Sequence, residues 1–192
     1  MAQIEIKNLF KIFGATPSAG LDLVRAGKTK EEIHEQTGLT VGVQDASFTV
    51  NSGEIFVVMG LSGSGKSTLV RMLNRLIEPT SGAVIVDGDN VMEMDKEKLV
   101  AFRRNKTSMV FQSFALMPHQ TVLNNVAFGL ELAGVDKTQR YERSMDALKQ
   151  VGLDGWEKSY PKELSGGMQQ RVGLARGLAV DPDIMLMDEA FS

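Results

Sequence analysis

Residues 60–68, with the sequence GLSGSGKST, have the residue types and spacing of a phosphate-binding loop. They satisfy the pattern GxxxxGK followed by Ser or Thr, in which glycines let successive backbone N–H groups turn toward a polyphosphate. Lys66 adds a mobile positive charge, and the hydroxyl oxygen of Ser67 is a hard ligand that suits Mg²⁺. The pattern therefore predicts a nucleotide-binding loop, formed by Gly60, Leu61, Ser62, Gly63, Ser64, Gly65, Lys66, Ser67 and Thr68.

Two adjacent acidic residues, Asp188 and Glu189, follow the apolar run 184–187. Such a run is typical of a buried strand, and the carboxyl ends of parallel strands gather at the edge where a phosphate loop opens. Asp188 is then placed to bind Mg²⁺, directly or through water, and Glu189 to orient and polarise an attacking water. Taken alone, the two acids also fit a strand that meets solvent. The phosphate loop favours the first interpretation.

A second segment of small residues, LSGGMQQR at residues 164–171, precedes a helical pattern. Because small residues let a backbone approach a ligand closely, the segment predicts a second phosphate-binding helix start. An ordinary helix cap with Ser165 at the N-cap fits the same residues equally well. Local sequence leaves both interpretations open.

The phosphate loop needs a strand before it and a helix after it. Residues 55–59, IFVVM, are apolar on both faces and predict a buried parallel strand. Apolar residues at three- and four-residue steps from Leu69 to Leu76 predict the helix, and Pro79 is expected to end it. These two elements would hold the loop at the edge of a sheet.

The remaining pattern alternates strands and helices. Apolar residues at 4–9, 48–50 and 84–86 predict strands, the last entering a tight turn at Asp87-Gly88. Helical periodicity dominates residues 123–151 and breaks near Gly134. The fold class predicted is α/β, with a mostly parallel core sheet, a small antiparallel β element and a helical subdomain.

The segment between Gly14 and Val41 differs from its surroundings, because it is rich in charge and bracketed by glycine. Thr29 and Glu32 have the spacing of a capping box, and Gly38 is placed to end the helix that follows. Gly27 is placed to end an earlier short helix. We predict an inserted helical hairpin and interpret it as a surface segment without catalytic residues.

Composition excludes several classes of protein. With 192 residues, of which 43% are hydrophobic and 23% charged, the chain fits one globular domain. The absence of cysteine excludes disulfides and thiolate-bound metal, and the net charge of -3 provides no field for long-range capture of nucleic acid. The sequence shows neither an apolar stretch of the ~18 residues that span a membrane nor a secretory signal at its start. A cytoplasmic location is expected.

These segments, together with Gln112, stand in the order and rough spacing found in ATP-binding cassette (ABC) ATPases, which the sequence resembles over essentially its whole length. By that resemblance residues 164–171 are the family's signature segment, and Gln112 is the glutamine that senses Mg²⁺ and the attacking water. Without its context, Gln112 would be a solvated loop residue. The resemblance implies a P-loop NTPase that uses ATP and Mg²⁺. Its catalytic residues are then Lys66, Gln112 and Glu189, and its metal ligands Ser67, Gln112 and Asp188.

The resemblance also implies a head-to-tail dimer of two such domains, as a homodimer or a pseudo-symmetric pair. The signature segment of one chain would close over the γ-phosphate held by the other, and the residues acting in trans would be Ser165, Gly166, Gly167 and Gln169. Phe13 is a candidate for the aromatic ring that stacks on adenine. An aromatic residue close to a strand is also typical of core packing.

Residues 114–126 resemble the importer branch of the family, in which this region docks the coupling helix of a membrane subunit. The segment between Gly14 and Val41 is similar to that of glycine betaine and proline betaine transport ATPases. We therefore expect an energy-coupling subunit at the cytoplasmic face of the membrane. It would act with a transmembrane permease and, indirectly, with a periplasmic or extracellular substrate-binding protein, and would bind no nucleic acid. The alternatives are a soluble ABC ATPase acting on nucleic acid or in translation, and a nucleotide-binding fragment without turnover.

The family pattern continues beyond Ser192, with a dimer-contacting loop, a switch histidine and, in this subfamily, regulatory domains. The sequence thus predicts one nucleotide-binding domain over residues 1–192, truncated at its C-terminus, with a helical insertion at 15–40 and a helical subdomain at roughly 113–165. On the missing histidine, we expect this chain to bind ATP and to hydrolyse little of it.

Overall fold

The computed structural model describes residues 3–111 and 115–188 of the chain. They form two compact units, Met1–Leu99 and Val100–Ser192, divided within one helix. The elements of the first unit are β1 (Ile4–Phe13), α1 (Pro17–Arg25), α2 (Lys30–Thr37), β2 (Thr40–Val50), α3 (Lys66–Leu73), β3 (Ser81–Val86) and β4 (Asp89–Asn90), followed by the start of α4 (Lys96–Asn105). The second unit holds the rest of α4, then β5 (Thr107–Val110), α5 (Val122–Leu132), α6 (Lys137–Gln150), α7 (Gly166–Ala179) and β6 (Ile184–Met187).

The first unit is built on an antiparallel sheet with the strand order β2-β1-β3-β4. The central strand β1 begins where the sequence predicted a strand and is longer, reaching Phe13. The turn between β3 and β4 has positive φ angles at Asp87 (52°) and Gly88 (90°), which confirms the predicted tight turn. Helix α3 ends earlier than predicted, at Leu73, because the chain turns sharply at Arg75, whose φ is 56°.

The segment between Gly14 and Val41 contains the two predicted helices, α1 and α2, which we call the inserted hairpin. The predicted capping box is confirmed: the side chain of Thr29 accepts a bond from the Glu32 N–H (3.2 Å), and Glu32 Oε2 accepts one from the Thr29 N–H (2.8 Å). Gly38 ends α2 with a φ of 70°, also as predicted. The hairpin packs on β1 and β2 through a core formed by Phe10, Ile12, Leu21, Val24, Ile33, Leu39 and Val41.

The predicted buried strand at residues 55–59 is wrong for this structure. No strand is present there, and the side chains of Ile55 and Met59 are 90% and 86% exposed. The ring of Phe56 stacks on that of Phe48 with a centroid distance of 4.6 Å. A strand forms only where a neighbour satisfies its backbone N–H and C=O groups, and none of the strands in residues 3–111 and 115–188 pairs with this segment.

The second unit combines a parallel strand pair with helices. Strand β6 confirms the predicted strand at 184–187 and pairs with β5 in parallel. Helix α7 approaches β5 so closely that a Cβ added to Gly177 would lie 2.8 Å from Ser108 Oγ. Within the described residues, the mostly parallel core sheet that we predicted is represented by this pair, whereas the antiparallel sheet is the larger one.

Helices α5, α6 and α7 share one apolar core. The predicted break near Gly134 is confirmed, since α5 ends at Leu132 and α6 begins at Lys137. Among the helices of residues 3–111 and 115–188, none is both long and apolar enough to cross a membrane. The core of the three helices is formed by Val122, Val126, Leu130, Ala147, Leu148, Leu153, Leu164, Val172, Ala175 and Ala179.

Candidate nucleotide-binding site

The phosphate loop (residues 60–68) folds into a tight turn that leads into α3. Gly63 and Gly65 have φ angles of 75° and 94°, a region that side chains rarely adopt. Gly65 also lies against β2, and a Cβ there would clash with the carbonyl oxygen of Gly42. The loop conformation therefore requires glycine at Gly65 for two independent reasons.

The start of α3 leaves backbone donors available. The first intrahelical bond runs from the Leu69 N–H to the Gly65 carbonyl (2.8 Å), so the N–H groups of residues 66–68 precede it. No side chain in the described part of the chain caps this helix. Such N–H groups, together with the positive end of the helix dipole, favour an anion.

The ammonium of Lys66 lies across the phosphate loop. Its Nζ donates to the carbonyl oxygens of Gly60 (3.0 Å) and Leu61 (2.8 Å). A phosphate oxygen would be a stronger acceptor than either carbonyl, because the bond would then join two opposite charges. The side chain is thus placed to serve a phosphate held in the loop.

A cleft of about 550 Å³ lies beside the phosphate loop. One wall is β2 from Gly42 to Asp45, and the other is formed by the loop and the start of α3. Its charged lining residues are Lys30, Asp45 and Lys66. The Asp45 carboxylate already accepts a bond from Asn8 Nδ2 (2.9 Å).

Phe13, the candidate adenine-stacking residue, ends β1 close to this cleft. A Cβ added to Gly42, which lines the cleft, would lie 2.7 Å from Phe13 Cε2. The Phe13 side chain is 39% exposed, and Lys11 Nζ lies 5.0 Å from its ring centroid. Phe13 is therefore not buried in the core, and its stacking role stays a prediction.

The signature segment (residues 164–171) begins α7. Ser165 is its N-cap, and Ser165 Oγ accepts a bond from the Met168 N–H (3.3 Å). Gln169 Nε2 donates to the carbonyls of Pro161 (3.0 Å) and Leu164 (3.3 Å), which holds the approach to the helix. The ordinary helix cap that the sequence left open is thus present, and it does not exclude a ligand above the helix start.

Gly166 and Gly167 differ from the glycines of the phosphate loop. Neither has a positive φ angle, and a Cβ added to either would meet no atom of the described residues within 4 Å. Glycine in the first turn of a helix costs stability relative to alanine. Nothing in the described structure therefore requires glycine at these two positions.

Asp188 follows β6 and is 2% exposed. Its N–H donates to the Val110 carbonyl (3.0 Å), so the residue continues the parallel pairing of β6 with β5. Gln112 and Glu189, the other predicted catalytic residues, lie outside the described residues. The phosphate loop belongs to the first unit, whereas Asp188 and the signature segment belong to the second.

Sequence reasoning missed two features. Lys30 of the inserted hairpin lines the cleft, although the hairpin was interpreted as having no chemistry. A signal was present in its position, because the hairpin directly follows Phe13 in the sequence.

The second missed feature is the buried side chain of Asn125. Its Oδ1 accepts from the Met117 N–H (2.8 Å), and its Nδ2 donates to the carbonyls of Met117, Gln120 and Thr121 (3.0–3.1 Å). Asn125 thereby holds the loop at residues 117–121, within the stretch predicted to dock a membrane subunit. An asparagine in a helical pattern gave no sign of this role.

The geometry of a phosphate loop before a helix defines a nucleotide-binding protein of the P-loop class. The sequence model of the ABC transporter family matches residues 43–192, and the chain belongs to this family. The fold agrees with solved structures: the dimeric ATP-binding cassette MJ0796 bound to ADP and Pi has a TM-score of 0.80 and 32% identity, covering 98% of this chain and 74% of that one.

The chain is similar to transport proteins of bacteria. It is 60% identical to the glycine betaine/proline betaine transport system ATP-binding protein ProV of Escherichia coli, over 99% of this chain and 48% of that protein. It is also 60% identical to the glycine betaine transport ATP-binding protein OpuAA of Bacillus subtilis, over 99% of this chain and 46% of that protein. It is 50% identical to the trimethylamine N-oxide transport system ATP-binding protein TmoW of Ruegeria pomeroyi, over 98% of this chain and 55% of that protein. The chain thus spans about half the length of the relatives it matches.

Proposed function

We propose that this chain is the nucleotide-binding part of the energy-coupling subunit of a membrane ABC importer, which binds and hydrolyses ATP. The observation that carries the proposal is the phosphate loop, whose glycines are fixed by the chain's own geometry and whose helix start has uncapped N–H groups beside a cleft. The family membership of residues 43–192 supports ATP as the ligand.

Within this site the phosphates bind the loop N–H groups and Lys66, and adenine stacks on Phe13 beside Gly42. Each of the proposed Mg²⁺ ligands has the hard oxygen that this ion prefers: Ser67 a hydroxyl at the helix start and Asp188 a carboxylate after a parallel strand. Gln112 is the third proposed ligand. The metal would neutralise charge on the phosphates, and Glu189 would orient the attacking water.

The signature segment acts in trans in this proposal. The open space around Gly166 and Gly167 supports it, because glycine there suits a phosphate brought by a second subunit. Ser165 and Gln169 hold this helix start in shape. The related solved structure of MJ0796 is dimeric, which supports a homodimer or a pseudo-symmetric pair.

The proposed cargo is glycine betaine, proline betaine or a related osmoprotectant, because relatives at 60% identity carry those names. The subunit then lies at the cytoplasmic face of the membrane and binds a permease through the loop that Asn125 holds. A periplasmic or extracellular substrate-binding protein takes part indirectly, and nucleic acid is not a partner.

Two experiments test the proposal. Calorimetric titration of the chain with Mg·ATP should show binding, and the absence of binding would refute the nucleotide site.

A full-length protein carrying this sequence, expressed with its permease in cells that lack betaine transporters, should support uptake of labelled glycine betaine under salt stress. Glu189→Gln in that protein should keep ATP binding and stop uptake. ATP binding without uptake would reject the importer assignment and leave the nucleotide site intact.

A further inference from the structure

We propose that Lys30, the first residue of α2 in the inserted hairpin, binds the phosphate oxygens of the nucleotide together with Lys66. The inference rests on the proposed nucleotide site and assigns it a residue from outside the phosphate loop. The structure places Lys30 in the lining of the same cleft as Gly60, Gly65 and Lys66. The hairpin is then part of the binding site.

The backbone of Lys30 is held firmly relative to the cleft wall. The capping box of Thr29 and Glu32 fixes the start of α2 directly at Lys30. One turn further, Ile33 is fully buried in the core that α2 shares with β1 and β2. The strand β2 that receives this helix also supplies the cleft wall at Gly42. A side chain rooted at Lys30 therefore starts from a defined place beside the cleft.

The ammonium of Lys30 has no hydrogen bond or ion pair with any residue that the structure describes. The nearby anions are engaged elsewhere: Glu32 with Thr29 and with Lys28 (3.4 Å), and Asp45 with Asn8. An exposed, unpaired ammonium in the cleft that Lys66 also lines raises the positive potential there. Such a potential favours a polyanionic ligand.

A purely structural role explains Lys30 poorly. A helix N-terminus carries partial positive charge and favours acidic residues, as Glu31 and Glu32 illustrate in the same turn. A cation at the first position opposes that preference. Binding of a polyphosphate in the cleft would offset the unfavourable position, because the anion faces both the lysine and the loop.

The test measures affinities of the 192-residue chain and its variants for Mg·ATP, tripolyphosphate and adenosine by calorimetry. Lys30→Ala should weaken ATP and tripolyphosphate binding roughly 5- to 20-fold, the scale of one charge-assisted contact, and leave adenosine binding unchanged. Lys30→Arg should stay within about twofold of the unmodified chain, and Lys30→Glu should lose more than Lys30→Ala. The matched control is Lys28→Ala, which removes the same charge from the same hairpin at a residue paired with Glu32.

The outcomes separate this inference from the proposed function. If the unmodified chain does not bind ATP, the nucleotide site itself is refuted. If it binds ATP and Lys30→Ala binds equally well, the role of Lys30 is refuted and the nucleotide site stands. An equal loss in Lys28→Ala and Lys30→Ala would also overturn the inference, since a diffuse charge effect would then account for both. Thermal unfolding should show that Lys30→Ala and Lys30→Glu are at least as stable as the unmodified chain, because a cation at the first position of α2 is unfavourable, so a weaker affinity does not come from unfolding.

Discussion

The phosphate loop and the signature segment are both glycine-containing helix starts, and they differ in what requires the glycine. In the phosphate loop the requirement lies in this chain. Gly65 has a φ of 94°, and a Cβ on it would clash with the Gly42 carbonyl oxygen. A Cβ on Gly60 would lie 2.8 Å from Ser64 Oγ. In the signature segment, Gly166 and Gly167 have ordinary backbone angles and open space around them.

The difference separates two kinds of binding surface. A loop whose glycines are required by its own fold has its shape before a ligand binds. Binding the ligand then carries little free-energy cost for ordering the loop. A helix start whose glycines nothing in the described chain requires leaves open space, which our proposal assigns to a ligand held by a second subunit. This is the physical argument for an intact phosphate site in one chain and a shared site in a dimer.

The largest expected effect is that of Gly65→Ala. The new Cβ meets a backbone carbonyl at a positive φ angle, so β2 and the phosphate loop must separate. We expect the free energy of unfolding to fall by about 1–3 kcal/mol and ATP binding to be lost. Denaturant unfolding and calorimetry measure the two effects. Unchanged stability would show that the loop is not fixed by β2 and would remove one side of the comparison.

Lys66→Ala should have the next largest effect. Removal of the Lys66 side chain should leave the loop backbone in place, because its ammonium donates only to exposed carbonyl groups. We expect stability to be nearly unchanged and ATP affinity to fall roughly 100-fold, the scale of a strong charge-assisted bond. Lys28→Ala serves as the control for the loss of one positive charge. Equal ATP affinity in Lys66→Ala and the unmodified chain would contradict the assignment of the loop.

Local patterns predicted local structure well. The capping box of Thr29 and Glu32, the stop at Gly38 and the Asp87-Gly88 turn were all predictable, because each depends on residues a few positions apart. The phosphate loop was predictable for the same reason. In these segments the physical cause lies within the pattern itself.

Features that depend on distant partners were not predictable. Residues 55–59 are as apolar as β6, yet only β6 finds a neighbouring strand among the described residues. The place of Lys30 in the cleft depends on how the inserted hairpin packs against β2. The role of Asn125 depends on a loop that folds back over its helix. A pattern in one segment does not specify any of these contacts.

Gly167→Ala tests the other side of the comparison. The Cβ enters open space in a helical turn, so we expect the free energy of unfolding to stay unchanged or to rise by up to about 1 kcal/mol. ATP binding by the single chain should be unaffected. In a full-length dimeric protein, ATP hydrolysis should fall at least about 10-fold, because the approach of a partner's phosphate is blocked. If Gly167→Ala destabilises the chain as much as Gly65→Ala, the two helix starts do not differ as argued.

Ser165→Ala separates capping from ligand binding at the same helix start. Removing Ser165 Oγ leaves the Met168 N–H without its side-chain acceptor, so we expect a loss of about 1 kcal/mol in unfolding free energy. Ser165→Asp should restore the cap, and its negative charge should still oppose a phosphate. Wild-type hydrolysis by Ser165→Asp in a full-length dimer would argue against phosphate binding at α7.

The smallest expected effect is on stability, at a third helix start. Helix α2 begins with the capping box formed by the side chains of Thr29 and Glu32, and the substitution is Glu32→Gln. The backbone bond from Thr29, with a further contribution from Lys28, lowers the pKa of Glu32 below its usual value of 4.5. Because the folded-state pKa is the lower one, the cap stabilises the fold above the unfolded-state pKa, and this contribution is lost as pH falls through the folded-state pKa. The stability difference between the unmodified chain and Glu32→Gln should therefore shrink between neutral pH and pH values below 4.5, as measured by denaturant unfolding at each pH. A difference that stays constant over this range would mean that the Glu32 charge does not contribute to the cap, leaving Thr29 alone to fix the helix start that carries Lys30.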